Sequence, residues 1–253
     1  MIDPIEIRTR ARRLGLDASH VENDYVLCHL LVAIGERFPE FVFRGGTALA
    51  RIYWPDYRLS EDLDFTCEAS VSDFQDRLEE AVRLARDRTT LSLEMVFGPP
   101  RDDWSRSSVH WTDHELLLDV NMNVALAMNK HEGTVDLPYR DLHETKVSIP
   151  VFTLAEILGN KWYMLNDRTE PRDLFDVWSG LVQFDVEFEE IERGHRARYG
   201  YAPSSGSMYN AKRLEGPWKA RLAHQLADLP SFRQAYREVK NQFDAWQDRR
   251  NTD

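Results

Sequence analysis

Apolar residues recur at helical spacing over residues 5–15 and 21–37. In the second stretch Val21, Tyr25, Cys28, Leu31, Val32 and Ile34 keep a three-to-four period, which predicts an amphipathic helix packed on a core and ended by Pro39. The period then changes. Phe41-Val42-Phe43 predicts a short buried strand, Arg44-Gly45-Gly46 a tight turn, and residues 47–52 one or two helical turns closed off by Tyr53-Trp54-Pro55. Asp62-Leu63-Asp64-Phe65 alternates polar and apolar, so a second strand there carries Asp62 and Asp64 on one side. Ser72-Asp73-Phe74-Gln75 has capping-box spacing, and Phe74, Leu78, Val82 and Ala85 behind it mark an amphipathic helix over 73–88. Strand-like runs follow at 91–97, 106–112 and 115–122. Residues 129–147 are polar and turn-rich and read as a connection between two lobes; 147–152 reads as a short strand interrupted by Pro150.

The second half is helical in pattern. Thr153-Leu154-Ala155-Glu156 is another capping-box match, and the helix it opens sets Leu154, Ile157, Leu158, Lys161, Met164 and Leu165 on one side. Pro171 suits the first turn of the next helix. Residues 187–198 form a charged helix, 200–206 a loop, and 207–228 and 231–249 two further helices with ordinary core stripes. The fold class predicted is α/β in the α+β sense. It is bilobed: residues 1–146 hold a small mixed β-sheet, residues 147–253 are mostly helical, and the site is expected between them.

Bulk properties narrow the choices only a little. A chain of 253 residues with 42% apolar and 30% charged positions can build a substantial core. No apolar run reaches membrane-spanning length, and the first residues lack a signal peptide's basic start and apolar centre, so a cytoplasmic protein is expected. Cys28 and Cys67 make neither a metal spacing nor a disulfide framework. The net charge of −11 argues against a general nucleic-acid binder, though not against a local basic groove. Three arginine groups are candidates for such a groove: Arg8, Arg10, Arg12 and Arg13; Arg83, Arg86 and Arg88; and Arg193, Arg196 and Arg198 with His195. Each can equally be a solvated helix face.

Chemistry concentrates in two places. Side-by-side carboxylates at Asp62 and Asp64 repel unless a cation sits between them; Mg²⁺, with its all-oxygen ligands, is the usual answer and brings phosphates. Gly45 and Gly46 let backbone approach a phosphate closely. Asp119 lies inside the apolar run Leu116-Leu117-Leu118-Asp119-Val120, where a carboxylate is costly unless paired or metal-bound. The alternative is an edge-strand Asp facing solvent. In the second half, Lys161 shares an inward face and either snorkels to water or serves a site. Arg172 and Asp176, four residues apart, can simply pair on a helix surface.

The run Arg44-Gly45-Gly46-Thr47-Ala48-Leu49, then Arg58-Leu59-Ser60-Glu61-Asp62-Leu63-Asp64-Phe65, resembles the nucleotidyltransferase superfamily related to DNA polymerase beta. More narrowly it resembles the AbiEii/AbiGii toxin family, which includes MenT-type toxins. Lys161 followed by Arg172-Asp173-Leu174-Phe175-Asp176-Val177 is similar to that family's later motif, with Val177 replacing the common Leu, and Arg44 stands where the family often has Lys. Asp24-Tyr25 matches its entry segment. The resemblance covers most of the chain. It implies that Asp62, Asp64 and Asp119 hold Mg²⁺, with Mn²⁺ the alternative. It further implies that Gly45, Gly46, Thr47 and Ser60 contact an NTP triphosphate, and that Arg44 and Lys161 stabilise its charge. Arg172, Asp173 and Asp176 would orient Lys161 or hold the nucleotide. The implied reaction moves NMP from an NTP to RNA, first of all a tRNA 3′ end, and so blocks translation. Modification of a protein or small molecule is the alternative, and an inactive nucleotide-binding regulator is another. A monomer with a cognate antitoxin is the expected state.

Overall fold

The computed structural model describes residues 3–54, 57–67, 70–99, 104–122, 129–168, 170–226 and 228–252. The chain divides into two compact units, Met1–Phe152 and Thr153–Asp253.

In the first unit, α1 (Pro4–Leu14) starts with Pro4 behind an Asp3 cap whose carboxylate accepts the Ile5 amide, and ends at Gly15 in the left-handed conformation. Helix α2 (Ala18–Arg37) is buried all round from Asp24 to Ile34, because α1 and α4 (Val71–Thr89) pack on the sides away from the sheet. The amphipathic reading of α2 is thus too narrow. Its two buried polar residues lie beside polar partners. Asp24 pairs with Arg51 and accepts from the Tyr139 hydroxyl at 2.7 Å, and His29 lies 3.4 Å from Asp141.

Seven strands among the described residues form one mixed sheet: β1 (Phe41–Arg44), β2 (Asp62–Cys67), β3 (Glu94–Phe97), β4 (Trp104–Trp111), β5 (His114–Asn121), β6 (Lys130–Thr134) and β7 (Ser148–Phe152). Their order is β3-β4-β5-β2-β1-β7-β6, with β1–β7 and β2–β5 parallel and the other pairs antiparallel. Phe43, Leu63, Phe65, Leu116, Leu118 and Val120 fill one face and form the core with α2. Alternation then dictates that Arg44, Asp62, Asp64 and Asp119 occupy the other face.

Residues 129–147 are more than a connection. Lys130–Thr134 is the edge strand β6, paired antiparallel with β7. Exposed on all but Gly133, it shows no apolar alternation, and Lys130 and Glu132 are the charges that shield an open edge. Gly133 is needed there because a Cβ would lie 2.7 Å from Ile52. The strand Ser148–Phe152 hydrogen-bonds to β1 and therefore belongs to this sheet.

The second unit is helical: α5 (Leu154–Asp167), α6 (Pro171–Trp178), α7 (Phe188–Tyr199), α8 (Gly206–Ala211), α9 (Trp218–Leu222) and α10 (Phe232–Thr252). Helices α5 and α7 cross with backbones in contact. A Cβ on Gly194 would fall within 1.8 Å of the Ala155 carbonyl oxygen, and one on Gly159 within 2.3 Å of the His195 nitrogen. Trp162 stacks on Phe243 (5.1 Å) and meets Phe188 edge-on (5.0 Å), tying α10 to both. The single helix expected over 207–228 is broken. Pro217 has no N–H to donate and clashes with the preceding turn, so it caps α9 rather than continuing α8. Among the described residues no helix is long and apolar enough to cross a membrane.

Candidate active site

The site begins where β1 runs into the glycine turn. Gly45 has φ +80°, a conformation that costs any other L-residue. It has a second reason to be glycine: a Cβ would sit 2.2 Å from Asp64 Oδ2, so the Asp64 carboxylate lies directly on the Gly45 backbone. Gly46 leaves room for protein rather than ligand, since a Cβ there would meet Arg58 Nη2 at 2.6 Å and Ser60 Oγ at 3.3 Å. The Thr47 side chain is buried and its hydroxyl donates to the Asp62 carbonyl, stitching the turn to β2. Its contribution to any ligand is therefore through backbone. Past the turn, helix α3 (Gly45–Ala48) widens into a π-turn over Leu49–Tyr53. Arg51 on that turn is clamped by Asp24, which fixes the turn's exit against α2.

Strand register builds a charged row across the sheet. Arg106 on β4 is opposite Asp119 on β5, Asp119 is opposite Asp64 on β2, and Asp64 is opposite Arg44 on β1. Neighbouring strands are roughly 4.8 Å apart, so four charged side chains leave one face side by side. The order is plus, minus, minus, plus. Adjacent carboxylates repel, and the arginines at either end offset that repulsion. Asp62 lies two residues along β2 on the same face and is half-buried. Arg44 donates from Nε to the Phe65 carbonyl (3.4 Å). Arg106 forks onto Asp119, with Nε–Oδ1 2.8 Å and Nη2–Oδ2 2.7 Å. Those hydrogen bonds outweigh partial burial and raise the guanidinium's pKa above its ordinary value, with Asp62 and Asp64 adding to the effect. Asp119 is not an edge residue facing solvent: β5 is interior, and its carboxylate is paired with Arg106.

The donor set suits a hard divalent cation. Asp62 and Asp64 are half-buried oxygen donors on one face, and Asp119 is in register beside them. Among the described residues no three His, Cys, Asp or Glu side chains stand preassembled as a metal cluster, in keeping with the engagement of Asp119 by Arg106. Both cysteines are buried, and burial pushes the Cys28 thiol up to about 12.

In the second unit, Lys161 is buried with its ammonium 3.0 Å from Asp173 Oδ1 and 2.8 Å from Asp176 Oδ2. Arg168 forks onto Asp173 from the other side, at 2.8 and 3.0 Å. Burial alone would raise the Asp173 pKa, but Lys161 and Arg168 outweigh it and hold the carboxyl below its usual range. Arg172 pairs with Glu170 at 3.5 Å. Lys161 thus neither snorkels nor stands alone; the two aspartates orient it.

Three arginines beside these residues carry no site signal of their own in the sequence, Arg58, Arg106 and Arg168, except that Arg58 opens the Arg-x-Ser-x-Asp-x-Asp run. The structure also sorts the arginine groups. Arg83 pairs with Glu80 and Asp87, Arg88 with Glu36, Arg193 with Glu190, and Arg196 with Glu192, so those groups are balanced helix faces. Arg10 and Arg13 instead line an open groove of about 410 Å³ with Arg140, and with Arg58 an adjoining cavity of about 190 Å³.

A glycine turn laid against a strand-borne aspartate pair, on a mixed sheet, is the arrangement of a nucleotidyltransferase. The chain belongs to the AbiEii family: the profile of the nucleotidyl transferase AbiEii toxin of type IV toxin–antitoxin systems matches residues 29–248. The fold is similar to MenT4, the nucleotidyltransferase toxin Rv2826c from Mycobacterium tuberculosis H37Rv, with TM-score 0.61 and 16% identity, covering 97% of this chain and 99% of that one. It is also similar to an H. pylori protein assigned as a nucleotidyltransferase, with TM-score 0.59 and 17% identity over 90% of this chain and 94% of that one. No curated protein sequence matches.

Proposed function

We propose that this nucleotidyltransferase transfers NMP from an NTP to RNA, with a tRNA 3′ end as the acceptor, and thereby blocks translation until an antitoxin restrains it. The observation that carries the reading is the seating of the Asp64 carboxylate on Gly45, beside Asp62 and in register with Asp119. Asp62 and Asp64, joined by Asp119, would hold Mg²⁺, or Mn²⁺ in its place. A metal there supplies Lewis acidity toward the α-phosphate and toward the leaving pyrophosphate. The chain's own part is positioning and charge. The Gly45 and Gly46 amides, the Thr47 backbone and the Ser60 hydroxyl would contact the triphosphate. Arg44 would stabilise its negative charge. Lys161, held by Asp173 and Asp176, would present an ammonium of fixed orientation, with Arg168 completing that cluster's charge balance. The groove with Arg10, Arg13 and Arg140, partly offset by Asp3 and Glu6 in the same lining, is the arginine group left for an RNA acceptor.

The test is incubation of purified protein with total tRNA, Mg²⁺ and each α-³²P-labelled NTP in turn, with Asp62→Ala as control. Labelled tRNA from wild type alone is the expected result. Label on no RNA, from protein that still binds NTP, would refute the acceptor. It would turn attention to a protein or small-molecule acceptor, which the net charge of −11 already favours as the second reading.

A further inference from the structure

The row Arg106–Asp119–Asp64–Arg44 contains a conflict that bears on how the site is loaded. This inference rests on the metal-dependent reading above. Asp119 is in register to complete a set of oxygen donors, yet both of its oxygens accept from Arg106. The carboxylate is 15% exposed and the arginine 53% exposed, so the guanidinium lies on the solvent side of Asp119, along the approach to it. The guanidinium also rests 5.2 Å from the Trp104 ring centroid, two residues back on the same strand. The guanidinium is half-exposed, so exchanging its carboxylate for another bidentate anion costs it little desolvation. A guanidinium also matches phosphate oxygens bidentately as well as it matches a carboxylate.

We propose that Arg106 is a tethered cation that occupies Asp119 in the nucleotide-free protein and transfers to the phosphates of an arriving nucleotide, so that divalent-metal binding is coupled to nucleotide binding. Without a nucleotide the arginine balances the carboxylate row and opposes a second cation by charge and by occupying its oxygens. With a nucleotide present, the arginine has a better-matched anion and Asp119 becomes available. The alternative role for a group hydrogen-bonded to a metal ligand is to orient it. The two roles differ in sign: removing an orienting partner weakens metal affinity about 10–100-fold, whereas removing a competitor strengthens it.

Calorimetric titration of Mn²⁺ into wild type, Arg106→Gln and Arg106→Gln/Asp119→Asn, all without nucleotide, tests the sign. Binding of a non-hydrolysable NTP analogue at saturating Mn²⁺ tests the transfer. We expect Arg106→Gln to bind Mn²⁺ about tenfold tighter than wild type, the size of the smaller effects that neighbours of metal ligands exert, with the sign reversed. The gain should vanish in the double variant, and the analogue should bind Arg106→Gln more weakly. Mn²⁺ affinity in Arg106→Gln equal to or below wild type would overturn the inference while leaving the metal site intact. Tighter Mn²⁺ with unchanged analogue affinity would overturn the transfer to phosphate. If no protein binds Mn²⁺ in either condition, the metal-dependent reading fails and takes this inference with it.

Discussion

Replacing Gly45 with alanine separates backbone strain from damage to the site. Alanine at φ +80° takes the left-handed conformation at a cost of about 1–2 kcal/mol. For a chain of this size that corresponds to a fall in Tm of about 2–8 °C. The added methyl also lands 2.2 Å from Asp64 Oδ2, where ordinary contact begins at 3.4 Å, so turn or carboxylate must move by about 1 Å. A displacement of that size at a reacting centre costs about a hundredfold in rate. Gly200 provides the control, with φ +79° and nothing within 4 Å of its added Cβ. Gly200→Ala should show a comparable fall in Tm with turnover unchanged, whereas Gly45→Ala should lose both stability and about two orders of magnitude in kcat/KM. Differential scanning fluorimetry and the tRNA-labelling assay read the two effects separately. Wild-type turnover by Gly45→Ala, with its Tm lowered, would refute the placement of Asp64 on the turn.

Two further outcomes follow from buried charge. Lys161→Met removes the shared ammonium from the Asp173 and Asp176 carboxylates, both with 0% side-chain exposure, and, with Arg168 still on Asp173, should cost about 3 kcal/mol in a denaturant titration; an unchanged midpoint would contradict the cluster. His29 is buried, and burial, outweighing nearby Asp141, pushes its pKa down to about 4 from 6.5. The unfolded chain therefore binds a proton that the folded chain refuses. Stability is whole above pH 6.5 and falls on acidification toward pH 4, by on the order of 3 kcal/mol. Asp173, held low, contributes in the same direction, since its stabilisation is lost as pH drops through its folded value. Melting curves between pH 7 and pH 5 should flatten in His29→Gln, and equal slopes in the two proteins would count against the assignment.

Local signals were enough to read much of this protein. Alternation through Asp62-Leu63-Asp64-Phe65 determined that the two carboxylates share a face, because side chains in a strand repeat every two residues whatever the strand pairs with. Two glycines after an apolar run determined the turn, and Pro171 and Thr153 the starts of α6 and α5. Partnership was another matter. Whether Asp119 meets Asp64 depends on a parallel pairing between strands some fifty residues apart, which no local pattern encodes. Whether Arg106 meets Asp119 depends on where the hairpin turns. The hairpin turns at Thr112-Asp113, pairing Trp111 with His114 and hence Arg106 with Asp119. Strands drawn over 106–112 and 115–122 move that turn by one residue and put Asn121 opposite Arg106. Lys161 is the same case in a helix: periodicity turned it inward, but only the packing of α6 against α5 brought Asp173 and Asp176 to its ammonium. The edge strand β6 stayed hidden because an exposed edge needs no apolar pattern, only a neighbour whose free N–H and C=O groups it can satisfy.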